Sequence, residues 1–300
     1  MIAFHEITLA DKVWIDRHLR CENSPSADFN FGNMFIWDEH YRQLVCPYGD
    51  RTLTKVRLHG EPAFVYPIGC GPLGPAIGAL REYAAAKGYP FLMRGITERH
   101  RALLEESFPG CFSFCEEERY ADYIYEAQRL ATYAGKALHG KKNHCNRFEA
   151  EHDWSFRPLT RALIPACVEM LDNWTRENAA RLEQSVAFEH RAIERAFAHY
   201  EQLGLEGGVL FADGKLLGFS FGEMTSADTF NVHVEKAAAD INGAYPMVCR
   251  ELARMLLEQH PGLVWLNRED DMGLDSLRQS KLSYKPAFLL NKYAAKWIGD

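Results

Sequence analysis

The stretch GVLFADGKLLGFSFGEMTSADTFNVHVE, residues 208–235, decides the fold of the second half of the chain. It is rich in aliphatic and aromatic residues and breaks twice into three runs, which is the pattern of successive β-strands. Asp213-Gly214 separates the first two runs, and a two-residue Asp-Gly turn matches the twist of the strands that it joins. We therefore predict strands over 208–212, 215–223 and 228–235, the first two forming a hairpin.

Helical periodicity surrounds these strands. Leu163, Cys167, Met170, Leu171 and Trp174 recur at the three- and four-residue spacing of a single helix face. The remaining elements of this half are predicted at about 163–174, 188–203, 246–259, 263–267, 274–282 and 287–293. Two helices, three strands, a helix, a strand, a helix and a final strand together predict an α+β domain, with a mixed, mostly antiparallel sheet flanked by helices.

The first half shows a looser form of the same pattern. A helix over 73–87 ends at Gly88, as many helices do. Alternating or apolar runs predict strands at 41–47, 52–58, 63–68, 90–94, 111–115 and 120–125. A second helix is predicted over 98–108. We therefore predict an N-terminal domain over 1–127, a basic connecting segment over 128–152 and a C-terminal domain over 153–300.

The composition of the 300 residues excludes several classes of protein. Hydrophobic residues make up 47% and charged residues 25%, as in ordinary globular proteins, so a disordered or fibrous chain is excluded. The formal net charge is −7, so the whole protein is not expected to attract nucleic acid or an anionic membrane. Any such binding must come from a local basic region.

The cysteines and the apolar runs predict a cytoplasmic protein. The eight cysteines form no CxxC pair, so we expect reduced, mostly buried thiols and no metal site. The uncharged run 62–80 is long enough to span a bilayer, but its prolines and glycines predict a strand, a loop and a helix start. The N-terminus lacks the apolar core of a signal peptide. No integral membrane segment is expected.

One face of the strand 228–235 is polar. Side chains alternate along a strand, so Asn231, His233 and Glu235 share a face. A central strand with such a face predicts a functional site, in which Glu235 accepts a proton from an attacking group. A solvated face, or Glu235 paired with a nearby lysine, is the alternative.

The segment that follows the next strand is rich in charge. Asn267 ends that strand, and Arg268, Glu269 and Asp270 come directly after it. Arg278 and Lys281 are three residues apart and therefore lie on one face of the following helix. We predict that these residues bind substrate. Structural ion pairs, or a helix cap at Asp270, are the alternative.

The segment between Ala127 and Phe148 contains no acidic residue. Its basic and amide side chains can contact the phosphates of tRNA or of an anionic lipid headgroup, in a manner that salt weakens. The predicted phosphate- or RNA-binding residues are Lys136, Lys141, Lys142, Asn143 and Arg147. A solvated cationic helix is the alternative, because no RNA-recognition motif or aromatic platform accompanies them.

Three segments resemble a known family: YAGKALHGKKNHCNRFE at 133–149, GAY at 243–245 and NREDDMGLDSLRQSKLSYKPAFLLNKY at 267–293. They are similar to a bacterial family of unknown function related to the C-terminal domain of phosphatidylglycerol lysyltransferase. The order of elements over 160–294 also resembles the Gcn5-related N-acetyltransferase (GNAT) fold. The resemblance implies tandem GNAT-like domains, as in peptidoglycan-bridge aminoacyltransferases.

The GNAT resemblance implies roles for particular residues. In GNAT enzymes two central strands part, and the acyl donor lies in the gap with its phosphates at the next helix N-terminus. Here that helix begins with Asn242, Gly243, Ala244 and Tyr245, and it has a single glycine in place of the Q/R-x-x-G-x-G/A loop. A glycine turn that opens a helix is the alternative.

Two further roles follow from the relatives. Tyr284 stands where a GNAT tyrosine donates a proton to the leaving group, although Pro286 follows it closely. In relatives that handle amino-acid esters, carboxylates such as Glu269 and Asp270 are expected to bind the ammonium of the aminoacyl group.

The expected function is transfer of an activated acyl group to an amine or hydroxyl acceptor. Acyl-CoA or aminoacyl-tRNA would be a co-substrate, and no permanently bound cofactor is expected. Direct transfer, with Glu235 and Tyr284 as the catalytic residues, needs no covalent enzyme intermediate. The one G-x-S-x-G match, at 218–222, lies within the predicted strand 215–223 and not at the strand-to-helix turn of a nucleophile elbow. The alternative is a non-catalytic GNAT-like module that binds a small ligand or RNA.

Overall fold

A computed structural model describes residues 2–58, 60–178 and 184–299. The chain forms two compact units, each assembled from more than one segment. The first unit contains residues 1–122, 270–275 and 289–300, and the second contains residues 123–269 and 276–288.

The strands and helices follow one another along both units. The strands are β1 (His5–Glu6), β2 (Leu44–Tyr48), β3 (Arg51–Leu58), β4 (Glu61–Val65), β5 (Ile68–Gly69), β6 (Leu92–Thr97), β7 (Phe112–Glu116), β8 (Asp122–Glu126), β9 (Trp154–Pro158), β10 (Glu206–Ala212), β11 (Lys215–Met224), β12 (Thr229–Ala237), β13 (Trp265–Asn267), β14 (Phe288–Leu290) and β15 (Lys292–Trp297). The α-helices are α1 (Lys12–Glu22), α2 (Phe31–Ile36), α3 (Asp38–Tyr41), α4 (Leu73–Lys87), α5 (Glu98–Ser107), α6 (Ala127–Thr132), α7 (His139–Glu151), α8 (Ile164–Asn178), α9 (Gln184–Ala198), α10 (Tyr200–Leu203), α11 (Ala244–Gln259) and α12 (Asp275–Ser283).

The two sheets share one topology. The first has the order β1-β2-β3-β4-β6-β15-β7, with β5 paired to β3, and the second has the order β14-β8-β13-β12-β11-β10-β9. Each sheet contains a parallel pair, β4 with β6 and β12 with β13, and antiparallel strands on both sides of it. This repeat confirms the predicted α+β class and the tandem arrangement.

The predicted domain boundaries do not match the way in which the strands near those boundaries are divided between the two sheets. The position next to the parallel pair is held by β15 in the first sheet and by β8 in the second. The strand predicted at 287–293 is in fact two strands in different sheets, β14 and β15. The C-terminal strand therefore belongs to the first unit and not to a domain over 153–300, because its backbone hydrogen bonds are made to β6 and β7.

The cores follow the sequence pattern. Helix α4 buries Ala76, Ile77, Leu80 and Ala84, which recur at helical spacing, and it ends at Gly88 with φ +74°. In the second unit, α11 buries eight side chains, and its Val248, Leu252 and Leu256 belong to the core cluster with Phe148 of α7. The basic segment is therefore partly a core helix, with Cys145 and Phe148 as its buried face.

The prediction of reduced cysteines is wrong at one pair. Cys21 on α1 and Cys70 after β5 form a disulfide, with Cα atoms 5.9 Å apart. The two residues lie 49 positions apart in sequence, and they meet because α1 packs against β5. No described helix is both long and apolar enough to cross a membrane. Residues 62–80 form β4, β5 and the start of α4, as predicted.

Candidate functional site

The candidate site lies where β12 and β13 part in the second unit. These strands pair at only three positions, which end with Asn231 opposite Asn267. Strand β13 ends there, whereas β12 continues to Ala237. Strand β12 therefore continues past the end of its neighbour.

Arg268, directly after β13, is at the centre of the site. Its Nη2 donates a hydrogen bond of 2.7 Å to Oε1 of Glu235, and each side chain is only 11% exposed. Its guanidinium lies 4.4 Å from the ring centre of Tyr284 and 5.4 Å from that of Tyr125. Its Nη1 is buried and has no hydrogen-bond partner among the described residues. Glu235 is paired with an arginine, and not with the lysine considered from the sequence.

Tyr284 and Lys141 complete this cluster. Tyr284 is 3% exposed, and burial raises the pKa of its phenol well above the ordinary value, so the phenol stays protonated at neutral pH. The Nζ of Lys141 lies 3.8 Å from the centre of the Tyr284 ring. Burial, together with the nearby Arg268 charge, lowers the pKa of Lys141. Lys141 thus lies on the ring of Tyr284, in contrast to the exposed Lys142 beside it.

His233 is the centre of a second buried network. Its Nε2 lies 3.0 Å from Oε1 of Glu223, and its Nδ1 lies 3.0 Å from Oε1 of Glu269. Asn231 donates to the same Glu269 oxygen at 2.9 Å, and its own Oδ1 is without a partner in the described part of the chain. Burial by itself lowers the pKa of His233, but the bonds and charges of the two glutamates outweigh it and raise the pKa to about 9.

The turn after β13 is held by its own side chains. Glu269 has a left-handed backbone, φ +58°, and its amide donates to Oδ1 of Asn267 at 2.7 Å. The ammonium of Lys281 donates to the backbone carbonyls of Arg268 and Glu269. Asn267 and Lys281 were predicted to bind substrate. In the structure they hold the backbone of Arg268 and Glu269, whose side chains contact β12. Arg278 is half-buried on the same helix as Lys281.

A known protein family matches most of the chain. The family model described as phosphatidylglycerol lysyltransferase, C-terminal, matches residues 22–296. The chain belongs to this family.

Solved structures of two relatives share the fold. A conserved protein of unknown function from Bacteroides thetaiotaomicron is 36% identical, with a TM-score of 0.93 over 99% of this chain and 100% of that chain. The C-terminal domain of a putative lysylphosphatidylglycerol synthetase from Agrobacterium fabrum is 13% identical, with a TM-score of 0.68 over 97% and 93%. This second likeness concerns the fold alone.

A curated relative matches over part of its length. An uncharacterized protein of Mycoplasmoides gallisepticum is 27% identical over 187 residues. The match covers 60% of this chain and 58% of that protein.

In this phosphatidylglycerol lysyltransferase-family chain, the predicted phosphate loop is packed against α7. Gly243 has φ +93°, and a Cβ there would lie 2.7 Å from the carbonyl oxygen of His144 and 3.1 Å from the Cβ of Phe148. Ala244 is fully buried. The glycine is therefore required by backbone conformation and by close approach, as the helix-opening alternative supposes. Phosphate binding by 242–245 stays a prediction.

The basic face of α7 is largely exposed. Lys136, Lys142, Asn143 and Arg147 are open to solvent, and Arg147 pairs with Glu151 at 2.7 Å. A binding role for these four residues is not tested by this geometry.

Asp270, also predicted to bind substrate, belongs to the first unit, whereas Glu269 belongs to the second. Asp270 instead lines a cavity of about 100 Å³ within the first unit, together with Asp28 and Lys292. Sequence reasoning missed this cavity because its lining comes from segments far apart in the chain, with no local pattern to mark them.

Proposed function

We propose that this protein transfers an aminoacyl group from an aminoacyl-tRNA to a hydroxyl or amine acceptor, with Arg268, Glu235 and Tyr284 at the reaction centre. Family membership supports this class of reaction. The observation that carries it is the Nη1 of Arg268, a buried cationic donor at the point where β12 and β13 part, which has no hydrogen-bond partner in the part of the chain that the structure describes. Acyl transfer develops negative charge on the carbonyl oxygen, and such a donor stabilises it in a water-poor site.

The proposed step is direct. The acceptor oxygen or nitrogen bonds to the ester carbonyl carbon, and its proton passes to Glu235, directly or through water. The bond from that carbon to the ribose oxygen of the tRNA breaks, and Tyr284 gives its phenolic proton to that oxygen. Transfer of the proton from Glu235 to Tyr284 through water then restores both groups. The acceptor gains the aminoacyl group, and the tRNA gains a hydrogen.

The surroundings of Tyr284 support its role. A tyrosine that stays protonated at neutral pH has a proton to give, and Arg268 beside its ring favours the phenolate that forms when the proton leaves. When it is protonated, the Lys141 ammonium on the same ring favours the same phenolate. Positioning and hydrogen bonds of this kind supply most of the rate when no covalent intermediate is formed.

The start of α11 and the exposed face of α7 favour tRNA over coenzyme A as donor. The helix start that would hold the phosphates of coenzyme A is covered by α7, with Ala244 buried. The exposed Lys142, Asn143 and Arg147 of α7, with Lys136 just before the helix, offer charge and hydrogen-bond donors to the phosphates of an RNA backbone.

A transfer assay tests the proposal. Protein is incubated with tRNA carrying a labelled amino acid and a mixture of hydroxyl and amine acceptors, and label leaving the tRNA is followed into new products. Arg268→Gln is expected to lower the rate by about 100-fold or more. Lys215→Gln, which removes the same charge from the exposed β10–β11 turn, is expected to leave it unchanged.

Two outcomes would overturn the proposal. One is an Arg268→Gln protein that is folded by circular dichroism and transfers at the wild-type rate. The other is consumption of acetyl-CoA, supplied in a parallel reaction, with no loss of label from the tRNA. Arg268→Lys keeps the positive charge and a donor to Glu235 but lacks the guanidinium. A folded Arg268→Lys protein with a low transfer rate therefore shows that the guanidinium itself is needed, and not only the stability that the charge provides.

A further inference from the structure

The cavity of the first unit lies where the parallel strands of its sheet part. Strands β4 and β6 pair only at Phe64 with Met93 and at Val65 with Arg94. Val65 and Arg94, with the following Gly95, line the cavity, whose volume is about 100 Å³. The cavity therefore lies beside the parallel pair of the first sheet, as the candidate site lies beside the parallel pair of the second.

An arginine paired with a glutamate stands at this point in each sheet. Arg94 on β6 is bonded through Nη1 to Glu117. Arg268 is bonded in the same way, through Nη2, to Glu235. Each guanidinium has one further buried nitrogen without a hydrogen-bond partner among the described residues, Nε in Arg94 and Nη1 in Arg268. A guanidinium N–H can only donate, so each of these nitrogens calls for an acceptor atom.

A second buried polar group of the first-unit cavity lacks a partner. Thr54 is 1% exposed and lines the cavity, and its hydroxyl makes no hydrogen bond within the part of the chain that the structure describes. Buried polar groups are rarely left unpaired, so Thr54 and the Nε of Arg94 together indicate a ligand. A carbonyl oxygen has two lone pairs and can accept from a hydroxyl and from a guanidinium N–H.

The charged groups of the wall favour a neutral ligand. Asp28 and Glu117 both line the cavity, and each has a cation beside it. Asp28 lies 2.8 Å from the Nζ of Lys292, and Glu117 is paired with Arg94. These carboxylates need no cationic ligand to balance them, and an ammonium would bring no acceptor to Arg94. An anionic ligand would be repelled by the same carboxylates.

The rest of the wall suits a ligand with an N–H group and an aliphatic part. A carboxylate accepts up to about four hydrogen bonds, so Asp28 can accept from a ligand N–H as well as from Lys292. The side-chain amide of Gln43, which is 7% exposed and also lines the cavity, offers a further acceptor oxygen. The apolar lining residues are Met34, Val56, Leu58, Val65 and Ile68. A carboxamide combines a carbonyl oxygen with an N–H group and is neutral.

We propose that this cavity binds a small neutral carboxamide. The carbonyl oxygen accepts hydrogen bonds from the Nε of Arg94 and the hydroxyl of Thr54. The amide nitrogen donates to Asp28, and the aliphatic part lies against Val56 and Ile68. The volume agrees, because a cavity of about 150 Å³ holds benzene, so about 100 Å³ suits a ligand of roughly four or five heavy atoms. The proposal concerns binding in the first unit, and it does not depend on the transfer reaction.

Titration calorimetry with propionamide and three molecules of similar size tests this proposal. Saturable binding of propionamide is expected. Propionate and n-propylamine should bind at least about 10-fold more weakly, because the first brings an anion to the carboxylates and the second has no acceptor. 2-Butanone keeps the carbonyl and lacks the N–H group, so it should bind about 3- to 10-fold more weakly.

Variants of the two donors test the assigned contacts. Thr54→Val keeps the shape of the wall and removes the hydroxyl, so it should weaken propionamide binding by about 3- to 10-fold, whereas Thr54→Ser keeps the hydroxyl and should bind within about 2-fold of wild type. Arg94→Lys keeps a cation beside Glu117 but lacks Nε, and a loss of about 3- to 10-fold is expected. Thr132→Val, at an exposed position of α6, is the matched control and should change nothing.

Three results would overturn the proposal. They are the absence of saturable propionamide binding by the folded protein, an affinity for propionate or n-propylamine that equals the affinity for propionamide, and wild-type affinity in both Thr54→Val and Arg94→Lys. Circular dichroism confirms that each variant is folded. The transfer assay on the Arg268 variants is independent of this result, so the two proposals fail separately.

Discussion

Protonation of His233 should make the stability of the protein depend on pH. The imidazole is 0% exposed and lies between two carboxylates, each 3.0 Å from one ring nitrogen. Its pKa rises from 6.5 to about 9 in the folded protein. Because one pKa unit corresponds to about 1.4 kcal/mol, the protonated ring contributes up to about 3 kcal/mol to the free energy of unfolding.

The sign of this dependence follows from the direction of the shift. The pKa is higher in the folded protein than in the unfolded chain, so the contribution is complete below pH 6.5 and is lost as pH rises through about 9. His233→Gln keeps a polar side chain but cannot carry the charge. The stability difference between wild type and this variant should therefore shrink by up to about 3 kcal/mol between about pH 6 and pH 10.

Urea unfolding of both proteins over this pH range measures the difference directly. His139→Gln, on the exposed part of α7, is the matched control and should show a difference near zero at every pH. A wild-type-minus-variant difference that stays constant from about pH 6 to pH 10 would refute the reasoning, because it would mean that folding does not raise the pKa of His233.

Three other predictions concern stability. Cys21→Ser should lower the free energy of unfolding under oxidising conditions by about 2–4 kcal/mol, since it opens a loop closed over 49 residues, and adding a reductant to wild type should reproduce the loss. Gly243→Ala should lower the free energy of unfolding by about 1–3 kcal/mol, and with it the melting temperature, because a Cβ there meets α7. Gly140→Ala, which has open space around it, should not lower the melting temperature. Equal melting temperatures of the two variants would contradict the close approach of α7. Lys292→Met should cost about 3–5 kcal/mol in chemical denaturation because it removes the ammonium that lies 2.8 Å from the buried Asp122 carboxylate. Recovery is expected when Asp122→Asn is added, and no recovery would contradict the importance of this ion pair.

Local pattern was sufficient to predict most elements. The helix predicted over 73–87 is found with the same limits, because the helix end at Gly88 is a local signal. The hairpin at Asp213-Gly214 is confirmed by the antiparallel pairing of β10 and β11. Such features depend on residues a few positions apart, which a sequence displays directly.

The features that sequence reasoning missed all depend on long-range contacts. The placement of β8 and β15 in their sheets, the Cys21–Cys70 bond and the cavity around Lys292 each join residues from distant segments. At the candidate site, alternation predicted one face for Asn231, His233 and Glu235, and this is wrong for Glu235. A bulge in the pairing of β12 with β11 shifts the alternation, so that Ala237 shares the core cluster of Phe230 and Val232, and Glu235 lies on that side, opposite Asn231. Their partners Arg268 and Glu269 could not be assigned, because only the pairing of β12 with β13 brings these residues together.

The most direct test of the proposed reaction centre is the single-turnover rate of transfer from aminoacyl-tRNA by Glu235→Gln and Tyr284→Phe. Both substitutions keep the shape of the site and remove one proton-transfer group. We predict that each lowers the rate by about 100-fold or more, with the dissociation constant for the tRNA changed by less than about 2-fold. Wild-type rates in both variants, or a loss that lies entirely in tRNA binding, would contradict the assignment.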